Sequence, residues 1–356
     1  MSPSLRIVAF LALAAAVHAE SLLVPRVVGD WQPRDPALAV QEVAEVEPGH
    51  FYLFRAQTDP KQPGTRVYHS TDAKDFGFAG KFADALHFIT ALPLDGAKVA
   101  QRDGQWFVVQ GERAARLEWT PVPNPVTATS RKPGIAIRVA LFDDSGSFGK
   151  GVPTVIDQLS KAKDIEVAKL DGDGIRAGLS GYDVVIFTGG SGGKQANTIG
   201  LLGREQVRRF VEAGGGYIGI CAGAYLACDG FSWGVKVLDA KTPSSKWARG
   251  TADLEIEAND AGQKALGLQR TSTIRYVNGP VLTPANNPAI PDYEPLVFFR
   301  TETAKNGSLV GAQIDTPAMA RGACGKGRVI VSSPHPEQTA GMERWTEHAV
   351  RAVAPR

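Results

Sequence analysis

Cysteine is scarce in this chain, with only three among 356 residues, at positions 221, 228 and 324. A number that is both small and odd excludes a disulfide framework. The spacing does not match the paired ligands of a zinc site, and the chemistry considered below needs neither a metal nor a cofactor. We therefore predict that Cys221 is a free thiol.

The chain also lacks a strong charge of either sign. Its 39 Lys and Arg residues nearly balance its 37 Asp and Glu residues, and the basic residues do not cluster. Such a distribution argues against a nucleic-acid partner. Long apolar stretches are missing as well, apart from residues 7–17, and that stretch is too short to span a bilayer.

The one apolar stretch follows a short basic start and precedes Val17-His18-Ala19, which has small residues where a signal peptidase cuts. We predict a signal peptide over residues 1–19, cleaved near Ala19. The mature protein would then be secreted or periplasmic, with no membrane contact after cleavage. The alternative is an uncleaved membrane anchor.

Residues 20–119 predict a small β-rich domain. Aromatic and β-branched runs alternate with turn signals, and Asp103-Gly104 between two such runs predicts a hairpin. Phe51-Tyr52-Leu53-Phe54 and Ser70-Thr71-Asp72 resemble one blade of a glycosidase-type β-propeller. Carbohydrate or protein contact is therefore an option for this domain, and a purely structural appendage is the alternative.

A proline-rich linker over residues 120–133 separates this domain from a segment with a different pattern of predicted secondary structure. Strands alternate with helices from residue 134 to 356, which indicates an α/β fold with a mostly parallel sheet covered on both faces. The predicted strands are 135–142, 165–170, 183–188, 217–220 and 328–332, and the clearest predicted helices are 152–161, 204–213 and 342–353.

Two segments at the ends of predicted strands carry the candidate chemistry. Cys221 lies between Gly219 and Gly223, where a sharp turn from strand to helix would present a nucleophile. His335 and Glu337 directly follow the last strand, in the segment Ser333-Pro334-His335-Pro336-Glu337. His335 would accept and return the thiol proton, and Glu337 would orient the ring. The alternatives are a buried inert cysteine, a turn histidine and a solvated glutamate.

A glycine-rich loop, Thr188–Gly193, follows the third predicted strand. Its amides and that of Ala222 could stabilise an oxyanion, with Gly190 as the first donor. No Gly-Lys-Ser/Thr sequence follows, which disfavours a phosphate-binding loop, while simple turn glycines remain the alternative. Asp143, Asp144 and Ser145 follow the first strand and would either contact substrate or cap the next helix.

These residues belong to a larger set of motifs. The set is Thr188-Gly189-Gly190, Gly219-Ile220-Cys221-Ala222-Gly223-Ala224-Tyr225, Trp247 with Arg249-Gly250, Tyr276 with Asn278-Gly279-Pro280, and Gly325-Lys326-Gly327-Arg328 leading to Ser333–Glu337. Through these motifs, residues 134–356 resemble the class I glutamine amidotransferase-like superfamily. Within it they most resemble the biotin-protein ligase amino-terminal domain family. The resemblance implies a flavodoxin-like doubly wound sheet and a Cys221-His335-Glu337 triad. Substrate-pocket candidates are Gly189, Ser191, Asp143, Tyr225 and Asn278.

The expected function is that of an exported thiol hydrolase or amidase acting on an amide or acyl group of a small molecule or peptide. The main alternative is a binding or scaffold protein that keeps the pocket without turnover. Glutaminase action for a separate partner is a third option, which the predicted export disfavours. We expect neither a biotin ligase domain nor a synthetase domain beside these motifs. The resemblance therefore predicts the residues of the site but not the substrate.

Overall fold

The computed structural model describes residues 22–56, 64–70, 87–122 and 134–355. The predicted signal peptide, most of the predicted linker, and Thr71 and Asp72 of the blade-like motif lie outside these ranges. None of the helices within them combines the length and the apolar character that crossing a bilayer requires.

Antiparallel strands dominate the described amino-terminal part. They are β1 (Leu23–Pro33), β2 (Val40–Gln41), β3 (Val43–Glu47), β4 (His50–Ala56), β5 (Thr65–Ser70), β6 (His87–Leu92), β7 (Lys98–Arg102), β8 (Gln105–Gln110) and β9 (Arg113–Pro121). One sheet has the order β1-β9-β8-β7-β2 and the other β3-β4-β5-β6. Asp103 and Gly104 both have positive φ and join β7 to β8 in the predicted hairpin. The small antiparallel β domain is therefore confirmed.

Strand β9 runs further than the sequence pattern predicted. Thr120 and Pro121, assigned above to the linker, pair with Val24 and Leu23 of β1. The next residue, Val122, accepts a hydrogen bond of 3.0 Å from the Arg209 side chain of the carboxy-terminal part. The described end of the β domain therefore contacts the carboxy-terminal part through the backbone of Val122.

The remaining strands and the helices follow in chain order. The strands are β10 (Ile137–Phe142), β11 (Ile165–Leu170), β12 (Val184–Phe187), β13 (Gly216–Ile220), β14 (Ala240–Lys241), β15 (Thr251–Ala258), β16 (Thr271–Val277), β17 (Thr283–Pro284), β18 (Glu294–Phe299), β19 (Pro317–Cys324) and β20 (Gly327–Ser332). The helices are α1 (Gly151–Leu159), α2 (Gly172–Ala177), α3 (Gly192–Glu212), α4 (Ala222–Ala227), α5 (Asp260–Leu266) and α6 (Trp345–Val353).

A nine-stranded sheet organises these elements, in the order β11-β10-β12-β13-β20-β19-β18-β15-β16. The first five strands are mutually parallel. Numbered along the chain they have the order 2-1-3-4-5, which is that of flavodoxin-like folds. The last four strands continue the sheet with antiparallel pairing. The α/β, flavodoxin-like fold class is therefore confirmed.

Helices cover both faces of this sheet. Leu159 of α1 and Trp345 of α6 are buried in the core on one face, and Ile199 and Phe210 of α3 are buried in the core on the other. Because both faces are covered, the parallel strands are almost wholly apolar, as in the fully buried sequence of β12. The site must then lie at an edge, outside the carboxyl ends of the strands.

Helix α3 differs from its prediction. The periodic pattern indicated a helix from Arg204, but α3 begins at Gly192, with Ser191 as its N-cap, and breaks its helical geometry at Gly200. Glycine lowers helix propensity, so the first half gives little local signal. Tertiary packing supports it instead, because Ala196 and Ile199 of this half are buried in the hydrophobic core.

Candidate active site

A sharp turn places Cys221 at the end of β13, directly before α4. Its backbone has φ 52° and ψ −98°, a conformation that residues other than glycine rarely adopt. A Cβ at Gly219 would lie 2.4 Å from the Gly223 carbonyl oxygen, and one at Gly223 would lie 2.1 Å from the Phe187 oxygen. Both flanking positions therefore require glycine, and the turn has the geometry of a nucleophile elbow.

The Cys221 thiol has two polar neighbours. Its Sγ donates to the Val277 carbonyl oxygen at 3.3 Å, and the His335 ring is near enough for the two groups to interact electrostatically. Cys221 is nearly buried, with 6% of its surface exposed, and a ligand would reach it through a cavity. All three cysteines are free, as predicted for Cys221.

His335 and Glu337 form a buried pair beside this thiol. His335 Nδ1 lies 2.9 Å from Glu337 Oε1, and the two side chains are 7% and 0% exposed. With Nδ1 engaged by the carboxylate, Nε2 is the ring nitrogen left for Cys221. Burial alone would oppose a charge on the ring, but hydrogen bonds and charge interactions with Cys221 and Glu337 outweigh it and raise the pKa of His335 from 6.5 to about 10.

Glu337 reaches His335 from a tight turn and not from an extended segment. An extended Pro-His-Pro-Glu segment would have placed both side chains on one side by strand alternation. Instead, Pro336–Gln338 forms one turn of 3₁₀ helix. The backbone of His335 is held on both sides, because its N–H donates to the Arg275 carbonyl at 2.8 Å and its own carbonyl accepts from Thr339 Oγ1 at 2.7 Å.

Two glutamines that the sequence reasoning missed support the pair. Gln338 Nε2 donates to Glu337 Oε1 at 2.9 Å. Gln158 of α1 donates to the backbone oxygen of Glu337 at 3.0 Å, from a position far away in the sequence. Among the described residues, Glu337 Oε2 is buried without a hydrogen-bond partner. The carboxylate is therefore held firmly and directed at the ring.

The His335 ring packs directly on the glycine-rich loop. A Cβ at Gly189 would lie 2.6 Å from His335 Cε1, closer than carbon atoms approach in proteins. Gly190 has φ 146°, and its amide donates to no backbone carbonyl in the described part of the chain. Ala222 is the first residue of α4, so its amide has no partner within that helix. The oxyanion role of Gly190 and Ala222 stays a prediction.

A cavity of about 570 Å³ opens above Cys221 and His335. Four of the five predicted pocket residues line it, namely Gly189, Ser191, Tyr225 and Asn278. Asn278 also has a structural role, because its Oδ1 accepts from the Gly250 amide at 2.6 Å and its carbonyl accepts from the Tyr225 hydroxyl at 3.1 Å. Ser191 likewise caps α3.

Asp143 does not line the cavity, contrary to the prediction. Its carboxylate pairs with Lys169 Nζ at 3.0 Å on the outer side of the sheet edge. The neighbouring Asp144 accepts from the Gly172 amide at 3.0 Å, at the start of α2. Both carboxylates are therefore occupied by structural contacts rather than directed at Cys221.

The sequence reasoning also missed the walls of the cavity. Besides Tyr225, its aromatic and cationic lining residues are Phe148, Lys150, Phe231, Trp233, Trp247 and Arg275. Only Trp247 had been singled out, as part of a family motif. These residues come from loops and from the antiparallel strands, where no local pattern marks a pocket. Across the described ranges, no group of three or more His, Cys, Asp or Glu side chains is arranged to hold a metal ion.

Comparison with known families agrees with this picture. Residues 179–242 match the family model described as biotin-protein ligase, N terminal. The resemblance is confirmed. The match contains Cys221 and the glycine-rich loop, and it ends before His335 and Glu337. No curated protein matches the chain at a significant level.

Solved structures with similarity to the chain include a cytoplasmic protein from Salmonella typhimurium, 11% identical, with a TM-score of 0.43 over 62% of this chain and 100% of that one. A putative GMP synthase component from Thermoplasma acidophilum is 15% identical, with a TM-score of 0.41 over 61% and 94%. PurLQS from Thermotoga maritima is 17% identical, with a TM-score of 0.42 over 61% and 97%.

Proposed function

We propose that this chain is an exported, amidotransferase-like hydrolase that cleaves an amide or related acyl bond through Cys221. The observation that carries the proposal is the convergence of a cysteine on a strained elbow with a buried His335–Glu337 pair at the floor of one cavity. Perturbed titratable groups that meet in a cleft are typical of catalytic sites. Export rests on the signal peptide predicted over residues 1–19.

His335, whose pKa is raised to about 10, takes the proton of the Cys221 thiol. The thiolate is the nucleophilic form of cysteine. In the first step Cys221 Sγ attacks the acyl carbon, and the carbonyl oxygen takes up the negative charge. The amides of Gly190 and Ala222 would stabilise that oxyanion.

Collapse of the tetrahedral intermediate breaks the C–N bond, and His335 gives its proton to the leaving nitrogen. A thioester on Cys221 remains. Water then attacks the thioester while His335 accepts a proton from it, and the acid leaves as Cys221 becomes a thiolate again. Glu337 holds the ring tautomer and stabilises the imidazolium in both steps.

Labelling with iodoacetamide as a function of pH tests the proposal. Because His335 would take the thiol proton, Cys221 should be labelled much faster at neutral pH than the other two cysteines. The other two cysteines are internal controls, because burial raises the pKa of Cys228 to about 12 and that of Cys324 to about 11. Only one peptide should therefore carry the label at neutral pH.

Turnover of a panel of amides and esters by the wild type and by Cys221→Ser completes the test. The variant should stay folded and lose at least about a thousandfold in rate, as expected when a nucleophile is removed. Ordinary thiol reactivity together with no turnover across the panel would instead favour the binding protein considered above.

A further inference from the structure

The lining of the cavity above Cys221 is cationic and aromatic. Lys150, next to the start of α1, and Arg275, on β16, are both exposed, and neither side chain has an ion pair or a hydrogen bond with the described residues. No aspartate or glutamate lines the cavity. An uncompensated pair of cations in a cleft attracts an anionic ligand group.

Arg275 is close to the reacting atoms. It lies two residues before Val277, whose carbonyl accepts from Cys221 Sγ, so both side chains point to the same face of β16. The Arg275 carbonyl also accepts from the His335 amide. Because Arg275 and Cys221 line the same cavity, a carboxylate on this guanidinium could belong to the same ligand as a carbonyl carbon positioned for attack by Cys221. Arginine binds carboxylates with a planar, two-pronged geometry.

Aromatic rings form the rest of the lining. Phe231 and Trp233 stack with centroids 4.6 Å apart, and Tyr225 packs against Phe231 at 5.9 Å. Phe148 and Trp247 are 51% and 61% exposed, the two large aromatic side chains left open to solvent in the described part of the chain, and both line this cavity. Large apolar groups left exposed around a cleft mark a binding surface.

The size of the cavity favours a substrate larger than a single free amino acid. Its 570 Å³ falls in the range of sites for drug-sized ligands, roughly 300–1,000 Å³. A single free amino acid such as glutamine would leave most of that space and the aromatic walls without contact.

We propose that the substrate is an acylated amino acid or short peptide with a free carboxylate and an aromatic side chain. Arg275 and Lys150 would bind the carboxylate, and the aromatic side chain would pack against Trp247. This inference depends on the proposed function, which identifies the bond that is cut. Cys221 would take the acyl group as a thioester, and the aromatic amino acid would leave with the proton from His335. Water would then release the acyl group as its acid.

Calorimetric binding to Cys221→Ala protein tests this substrate class without chemistry. The probes are N-acetyl-phenylalanine, its neutral carboxamide, N-acetyl-alanine and glutamine. N-acetyl-phenylalanine should bind most tightly. Arg275→Gln, and in a second variant Lys150→Gln, should weaken it about tenfold and change the carboxamide by less than about twofold, because only the charged probe makes the charge-assisted bonds.

Trp247→Ala should weaken the binding of both aromatic probes about tenfold, because only these probes pack a ring against Trp247. The affinity for N-acetyl-alanine should not change. Lys264→Gln on α5 and Leu309→Ala are matched controls, because these residues are exposed and lie outside this cavity. Circular dichroism and thermal melts establish that each variant is folded. Neither control should change any affinity.

The proposal is overturned if the carboxamide binds as tightly as the acid, if the preference survives both cation variants, or if glutamine binds more tightly than the aromatic probes. Turnover of N-acetyl-phenylalanine by the wild type separates the two proposals. The expected binding pattern without turnover would refute the hydrolase and leave the ligand class standing. Turnover of other amides without binding of these probes would refute the ligand class alone.

Discussion

Replacing Gly189 by alanine should displace the His335 ring. The added Cβ would lie 2.6 Å from His335 Cε1, whereas two carbon atoms in contact prefer about 3.5 Å, so the ring must move by about 0.9 Å. The backbone at Gly189 does not have the positive φ that would itself forbid alanine. The effect is therefore steric, and it falls on a ring that Glu337 holds at 2.9 Å.

A displacement of this size is large for a catalytic group. Misplacement by 1 Å costs on the order of a hundredfold in rate. We therefore expect Gly189→Ala to slow iodoacetamide labelling of Cys221 at neutral pH by one to two orders of magnitude. The overpacked loop should also lower the free energy of unfolding by about 1–3 kcal/mol.

Gly193→Ala is the matched control for this experiment. Gly193 lies in the first turn of α3, and a Cβ there would meet nothing within 4 Å. Its labelling rate and pH profile should equal those of the wild type. If Gly189→Ala labels like the wild type as well, the ring does not control the reactivity of the thiol, and the proposed proton transfer from Cys221 to His335 is refuted.

Three further changes test the supports of the site. Glu337→Gln removes the charge that stabilises the imidazolium, so the pKa of His335, raised to about 10 in the wild type, should fall toward 6.5; an NMR titration of the ring measures it, and an unchanged titration would contradict the pairing. Asn278→Ala should lower the free energy of unfolding by about 1–3 kcal/mol in urea, because the Gly250 amide loses its acceptor and a residue with φ 51° loses the side chain that favours it. Asn278→Gly should recover part of that loss. Gly223→Ala would place a Cβ 2.1 Å from the Phe187 carbonyl oxygen, which is rigid backbone, and should abolish soluble expression, while wild-type yield would show that the elbow can relax.

The amino-acid sequence was sufficient to predict the elements that depend on local rules. The predicted strands correspond to β10, β11, β12, β13 and β20 because buried parallel strands are continuous apolar runs. Cys221 could be located because a tight elbow needs glycine on both sides, and steric contact imposes that requirement locally. His335 and Glu337 were found because they follow a buried strand, and strand ends of a parallel sheet meet at one edge.

Long-range contacts decided the rest. Helix α3 begins twelve residues before its amphipathic pattern, since packing against the sheet compensates for glycines with low helix propensity. The 3₁₀ turn after His335 depends on hydrogen bonds to Arg275 and Gln158, which come from distant parts of the chain. Asp143 was placed wrongly because its partner, Lys169, is distant in sequence and adjacent only across β10 and β11.

The shape and charge of the cavity belong wholly to the tertiary structure. Phe148, Trp247 and Arg275 come from two loops and an outer strand, and no period or spacing in the sequence links them. The antiparallel extension β19-β18-β15-β16 brings Arg275 beside the parallel strand ends. Strand pairing depends on register and on contacts between residues far apart in sequence, whereas turns and buried strands depend on their own residues. The sequence therefore determined which groups could react, and the folded chain decided what they face.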